Sequence, residues 1–407
     1  MSGTMTSGSL VESKRVRWRG RRGWTLSNDR IAACWLTGGG HLASLVYRAG
    51  ESESGNLIWE APWKTIEPES YSPGAHARKY GPPPAGKYLA GYTGHAVCLD
   101  YFGEPSQEEA SRGLPLHGEI ASRKWSAASG KPARGEASLV MRATAPTAGL
   151  RFERQVSLRT GESAISVKET VTNAGRRDRF FQWVQHASFG PPLLRMGESI
   201  CVLNGERGKT WPHGYEGRPA LANDREFNWP MAPAPNGQSV NISQPFAQQG
   251  LGFIATVLLR RDAKFGFVGV LNWRMGILAA YCFRTADFPW VAVWEENGSR
   301  AGQPWNGVAQ VRGLEFGTSP MPIGIRDAML QGPLFGVPVA RSIAAGASQS
   351  ATYGVFATSV PKAWRSVGNV EFAGKKICVT GGASFEPDRA TERIELAAKN
   401  LEEIALD

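Results

Sequence analysis

Three polar residues stand in apolar, strand-like runs far apart in the sequence. They are His117 in "GLPLHGEIASRKW", His186 in "FFQWVQHASFGPPLL" and Glu315 in "VRGLEFGTSP". Imidazole and carboxylate are side chains suited to moving protons near neutral pH. Burying either one costs free energy unless a partner or a ligand makes use of it. In the first run Glu119 follows His117 by two residues, so a strand would put both on one face. Each residue alone also has a plainer reading. A lone strand histidine is usually a satisfied core or rim residue, Glu119 can point into water, and Glu315 can pair with Arg312 or Arg326.

Other chemistries lack their parts. "GKKICVTGGASF" has the look of a strand entering a dinucleotide loop, but no further βαβ unit follows. His117-Gly-Glu119 matches half of a zinc-deaminase signature whose other half, P-C-x-x-C, is missing. No Walker loop, H-E-x-x-H helix or G-x-S-x-G elbow is present. The six histidines, His41, His76, His95, His117, His186 and His213, show no metal-ligand spacing. Neither a metal nor a cofactor is therefore expected.

The elements that must position these residues read as strands. The 48 Gly and 26 Pro imply many turns, hence many short strands, and the 14 Trp suit a cleft that needs rigid flat walls. "RIAACWLTGGGHLASLVYRAG" reads as two strands around Gly38, Gly39 and Gly40. "LRFERQVSLRTGESAISVKETVTNAG" reads as a hairpin whose second arm runs from Ala164 to Thr172. In that arm Ile165, Val167, Glu169 and Val171 alternate with Ser166, Lys168, Thr170 and Thr172. Two stretches, residues 51–84 and 204–238, read as long loops. Their Trp63, Tyr71, Trp211, Tyr215 and Trp229 predict packed walls of a cleft. Helical spacing enters only in the tail, where Ile394, Ala397, Ala398 and Leu401 form a stripe after Pro387. It predicts a closing helix docked on the sheets or, in a homodimer, on a partner subunit.

The net charge of +10 is concentrated at the start. Lys14, Arg15, Arg17, Arg19, Arg21 and Arg22, against Glu12 alone, supply half of it. Nothing else resembles a nucleic-acid module, so this segment is expected to be a solvated, mobile extension. Cys34, Cys98, Cys201, Cys282 and Cys378 are scattered without a CxxC pair, which suits reduced thiols in a cytoplasmic protein. No apolar run is long enough for a membrane span, and no signal peptide is visible. The expected organisation is a basic extension over residues 1–23, an all-β domain over 24–360, and a strand and helix packed on it over 361–407.

The three motifs together resemble those of the aldose 1-epimerases, the galactose mutarotases. "ETVTNAG" and "QHASFG" resemble that family's V-x-N-x-G turn and the strand that ends in a histidine followed by an aromatic. "LPLHGE" resembles its L-H-G-G, and "GLEFGT" its late strand carrying a catalytic glutamate. Order and spacing agree from about Trp24 to Val360, most of the chain. The resemblance implies a β-supersandwich with an open sugar cleft and a small carbohydrate as substrate. It makes Glu315 the general base and His186 the general acid, with His117 assisting at the ring oxygen. Trp290 and Trp294 would stack on the pyranose, His95 and Asp100 would contact the substrate, and Glu119 would be a hydroxyl acceptor or the partner fixing the His117 imidazole. The family's N-R-I arginine is not visible, and Arg78 or Lys79 stands as its replacement. A sugar-binding protein without catalysis, and a carbohydrate lyase or hydrolase, remain alternatives on the same scaffold.

Overall fold

The computed structural model describes residues 11–404 except 51, 132 and 403. Among the described residues two large antiparallel sheets face each other. The centre of the first runs, in spatial order, Leu42–Ala49, His95–Asp100, Arg179–Phe189, Gln310–Gly317, Trp290–Asn297 and Leu251–Leu259. The second is built around Phe265–Asn272, Ile277–Arg284, Ser348–Ser359, Ala164–Asn173 and Leu150–Arg159. The alternation in Ala164–Asn173 does what period two requires, with Ile165, Val167, Glu169 and Val171 buried toward the opposite sheet. The main core, with Trp35, Trp125, Phe152, Trp183 and Phe316 among its members, fills the space between the sheets. This is the all-β sandwich the sequence predicts.

The outer face of the first sheet carries the cleft. It is walled by Gly81 and Pro82, by helix Ala85–Gly91 and by segments from residues 204–238 and 298–309. The stretches that read as loops hold short elements of their own, among them helix Pro73–Tyr80 in the first and strands Gly205–Thr210 and Glu226–Asn228 in the second.

Two expectations fail at the ends of the chain. Residues placed in a mobile basic extension form a hairpin of Glu12–Trp18 and Arg21–Ser27, paired in turn to Ile31–Leu36. In its second strand Trp24 and Leu26 face the main core, while Arg21 and Gly23 are buried on the opposite face. Arg21 is buried because its guanidinium donates to the Gly91 carbonyl at 2.6 Å and the Gly38 carbonyl at 2.8 Å. The tail is not the expected helix over its main stretch. Glu392–Ala397 pairs as a strand with Lys376–Gly382, which pairs with Ser366–Ala373. Ile394, Leu396 and Ala398 obey period two, which competes with the helical stripe of Ile394, Ala397, Ala398 and Leu401, and docking against Val370, Ile377 and Val379 favours the strand.

Candidate functional site

The site is set by one register. In the pairing of Arg179–Phe189 with Gln310–Gly317, His186 lies directly opposite Glu315, so both side chains rise on the outer face. His186 Nε2 stands 3.3 Å from Glu315 Oε1. On its other side His186 Nδ1 contacts Ser188 Oγ at 3.2 Å and Tyr92 Oη at 3.3 Å. Those two hydroxyls are themselves 2.6 Å apart. Each can donate to Nδ1 or accept from it, so the imidazole is oriented without being fixed in one protonation state.

Burial drives both members of the pair toward their neutral forms. It raises the Glu315 carboxyl well above the usual carboxylate range and pushes the His186 imidazole down to about 3. The pair therefore shares one proton between carboxyl and ring.

His117 completes the floor. Its backbone is left-handed, with φ of 62°, and Gly118 follows with φ of 84°. A side chain at Gly118 would bring a Cβ within 2.0 Å of the Leu99 carbonyl oxygen, so only glycine permits this close approach. The run is thus a tight turn and not the expected strand, and His117 and Glu119 diverge. His117 Nδ1 accepts from the Gly103 amide at 3.1 Å, which leaves Nε2 as the N–H donor of the neutral ring. The ring packs 5.1 Å from His186 and 4.9 Å from Tyr88. Burial lowers its basicity well below that of a free imidazole, and the neighbouring His186 adds to this.

These groups open into a cavity of ≈ 400 Å³. Tyr88, Tyr92, Trp211, Tyr215, Trp294 and Trp305 wall it. The ring of Trp294 lies 5.8 Å from His186, and its indole N–H donates to Tyr215 Oη at 2.8 Å. The expected loop aromatics contribute unevenly. Trp211 and Tyr215 line the cavity, Trp63 supports Trp305 from behind at 5.0 Å, Tyr71 caps the Gly81 carbonyl, and Trp229 packs on the main core.

Five residues expected at the site lie elsewhere. Glu119 is buried but points away, accepting from the amides of Thr147 and Ala148 at 3.0 and 3.1 Å and from Arg123 at 2.9 Å. His95 sits opposite Ala187, one position off the His186 face, so it enters the core and contacts Gln185 Oε1 at 2.9 Å. Asp100 shares the outer face but is tied to Arg179, and burial raises its carboxyl to about 6. Arg78 is on the exposed side of helix Pro73–Tyr80. Trp290 is covered by the segment holding Phe335 and Pro338, donating to the Pro338 carbonyl at 2.9 Å.

Tyr88, Tyr92 and Trp305 carried no sequence signal, and neither did Gly313 and Arg300. Gly313 shares the outer face with Glu315, and a Cβ there would fall 2.3 Å from Glu315 Oε1. Its absence of a side chain is what lets the carboxylate lie flat beside His186. Arg300 lines the cavity from the segment after Trp290–Asn297. Among the described residues no cluster of three or more His, Cys, Asp or Glu could hold a metal, and no helix is long and apolar enough to cross a membrane.

No curated protein matches the sequence. Several solved structures match the fold at low identity. A candidate aldose 1-epimerase from Klebsiella pneumoniae subsp. pneumoniae aligns with a TM-score of 0.60 at 16% identity, over 88% of this chain and 89% of that one. A galactose mutarotase-like protein from Clostridium acetobutylicum gives 0.56 at 14%, over 87% and 100%. A candidate aldose 1-epimerase from Escherichia coli K12 gives 0.53 at 12%, over 87% and 100%. Residues 48–321, more than half of the chain, match the model of a family described as a domain of unknown function, DUF4432. The chain therefore belongs to the DUF4432 family, and it carries the galactose mutarotase-like β-sandwich fold.

Proposed function

We propose that the protein is an isomerase of the aldose 1-epimerase type, interconverting the anomers of an aldose or aldose derivative by acid–base ring opening and closure. The observation that carries this reading is the Glu315–His186 contact on the floor of an aromatic-walled cavity, with no other hydrogen-bond or ion-pair partner for that carboxyl among the described residues. A cavity of ≈ 400 Å³ suits a monosaccharide, and flat rings suit the apolar face of a pyranose.

The reaction needs a proton removed from the anomeric hydroxyl and one delivered to the ring oxygen. Glu315 takes the first and His186 gives the second. The ring opens, C1 rotates, and closure returns both protons on the other face. The pair is neutral overall before and after opening. Before it the carboxylate faces an imidazolium, and after it the carboxyl faces an imidazole. Burial favours the second arrangement, which is also the resting one, so the shared proton passes from the carboxyl to the ring as the sugar engages, before the ring opens. Each transfer contributes roughly 10²–10⁴-fold. His117, with Nε2–H as its donor, supplies a hydrogen bond to the sugar near the ring oxygen.

The test is anomer exchange by NMR over a panel of aldoses with wild-type, Glu315→Gln and His186→Asn proteins. Exchange that needs both residues is the expected result. Sugar binding without exchange would make the protein a carbohydrate-binding module, and full exchange in Glu315→Gln would end the mechanism.

A further inference from the structure

We propose that Arg300 anchors the sugar, receiving two neighbouring hydroxyl oxygens of a neutral aldose on its guanidinium. The assignment rests on the sugar cleft proposed above. Arg300 is held face and edge. Its guanidinium carbon lies 5.0 Å from the ring centre of Trp305, 5.2 Å from Tyr215 and 5.6 Å from Trp294. Its Nε is 3.4 Å from Glu216 Oε2 and 3.6 Å from Glu296 Oε2. Nε is nonetheless buried without a hydrogen bond among the described residues.

Glu296 is itself fixed. It accepts from Tyr215 Oη at 3.0 Å, Ser299 Oγ at 2.9 Å and the Arg300 amide at 3.0 Å. The backbone and the inner edge of Arg300 are therefore set before any ligand arrives. The terminal nitrogens are different. Among the described residues neither Nη1 nor Nη2 has a hydrogen-bond acceptor, although the side chain lines the cavity.

The deeply buried arginines show what a structural guanidinium does here. Arg21 uses both terminal nitrogens on the carbonyls of Gly91 and Gly38. Arg154 donates Nη1 to the Gly40 carbonyl. Arg312 donates to the Ile242 and Gln244 carbonyls. Arg300, whose side chain is 22% exposed, instead has no acceptor on either terminal nitrogen among the described residues, and it stands on a cavity wall.

A rigid fork of N–H donors matches two adjacent oxygens. Charge selects between a carboxylate and a pair of hydroxyls. Glu216 and Glu296 already offset the guanidinium, and Glu104 and Glu315 also line the cavity. A further anion would meet three acids, Glu104, Glu216 and Glu296, for one arginine beside the neutral Glu315–His186 pair, whereas neutral hydroxyls meet donors and acceptors. The class of substrate is thus a neutral aldose with an intact vicinal diol.

The experiment compares wild-type, Arg300→Gln and Arg300→Lys proteins. The probes are D-glucose, D-galactose, their deoxy analogues at each hydroxyl position, and D-glucuronate. KM and kcat come from anomer exchange, Kd from saturation-transfer NMR, and unfolding midpoints from the same samples. Arg300→Gln should raise KM and Kd about 10–100-fold, the worth of charge-assisted hydrogen bonds, with kcat within about threefold of wild type. Arg300→Lys, which keeps charge but loses the fork, should fall between, and it serves as the test variant if the Gln protein does not fold. Deoxy analogues at the anchored positions should bind wild type weakly yet lose nothing further in Arg300→Gln.

Equal affinity in wild type and Arg300→Gln, or equal losses for every deoxy analogue in both, would make Arg300 a structural plug and overturn the assignment. So would tighter binding of glucuronate than of glucose, or no binding of any probe. Deoxy-selective binding without exchange would sink the isomerase reading and keep Arg300. Exchange that needs Glu315 but ignores Arg300 would do the reverse.

Discussion

Two of the sandwich's buried glutamates, Glu169 and Glu315, differ in what surrounds them. Glu169, in the core between the sheets, accepts from Arg154 at 2.7 Å, Gln185 at 2.5 Å, Tyr353 at 3.1 Å and Trp183 at 3.2 Å. Glu315, on the outer face of the first sheet, has His186 at 3.3 Å and no other hydrogen-bond or ion-pair partner among the described residues. Both are almost fully shielded from solvent, at 0% and 3% exposure. A buried carboxylate saturated by donors belongs to the architecture. One held beside a single weak acid and facing a cavity keeps its lone pairs for a visitor. Adjacent strand residues mark the boundary, since Gln185 serves Glu169 on one face while His186 serves Glu315 on the other.

The largest expected effects separate the two. Glu169→Gln leaves Arg154 buried without its countercharge and should cost roughly 3–5 kcal/mol in denaturant unfolding, with exchange per folded molecule unchanged. Glu315→Gln should do the opposite, lowering anomer exchange at least about 10²-fold while the unfolding midpoint barely moves. His186→Asn should match it, and the double variant should be far less than multiplicatively worse, because both residues act in one transfer sequence. A Glu315→Gln protein that unfolds easily yet retains full exchange would place Glu315 with Glu169 as a structural residue.

The same contrast explains what was legible in the sequence. Long strands announce themselves by alternation, so the hairpin through Ala164–Asn173 and the strands bearing His186 and Glu315 could be read directly. The side taken by a single polar residue was harder. His95 missed the cleft by one step of strand parity, which flips a side chain to the opposite face. His117 was recognised, but its left-handed turn, stabilised by Gly118, carries no periodic signal, so Glu119 was wrongly placed with it. Arg21 read as solvated because charge patterning says nothing about which carbonyls a folded chain will offer. Arg300 gave no warning, being a lone arginine in the stretch "NGSRAGQP". Its meaning arises only when Tyr215, Trp294 and Trp305 converge from three segments.

A subtler probe of the pair is its neighbour. Gly313→Ala would set a methyl group 2.3 Å from the present position of Glu315 Oε1, so the carboxyl must move away. A displacement of about 1 Å can cost as much as 10²-fold in rate. We expect a loss of about 10-fold, smaller than in Glu315→Gln, with the unfolding midpoint nearly unchanged. Wild-type exchange in Gly313→Ala would show that the carboxyl tolerates a different seat and that its contact with His186 is not needed.

The smallest expected effect is the most specific, because it concerns pH. Exchange requires the single proton shared by Glu315 and His186. Adding a second proton means charging the His186 ring, which burial resists down to about 3. The rate should therefore change less than about threefold between about pH 7 and about pH 5, where a solvated imidazole would titrate near 6.5. On the alkaline side the shared proton is lost as pH rises through the raised Glu315 value, and exchange falls. Stability follows the same sign. A carboxyl whose folded pKa exceeds its unfolded one contributes fully below the unfolded value, and that contribution is lost as pH climbs through the folded one. Glu315→Gln should accordingly unfold less readily than wild type under alkaline conditions while matching it under acidic ones. An exchange profile that breaks near 6.5, together with identical alkaline stability in the two proteins, would mean that neither group is held in the neutral state that the cavity imposes.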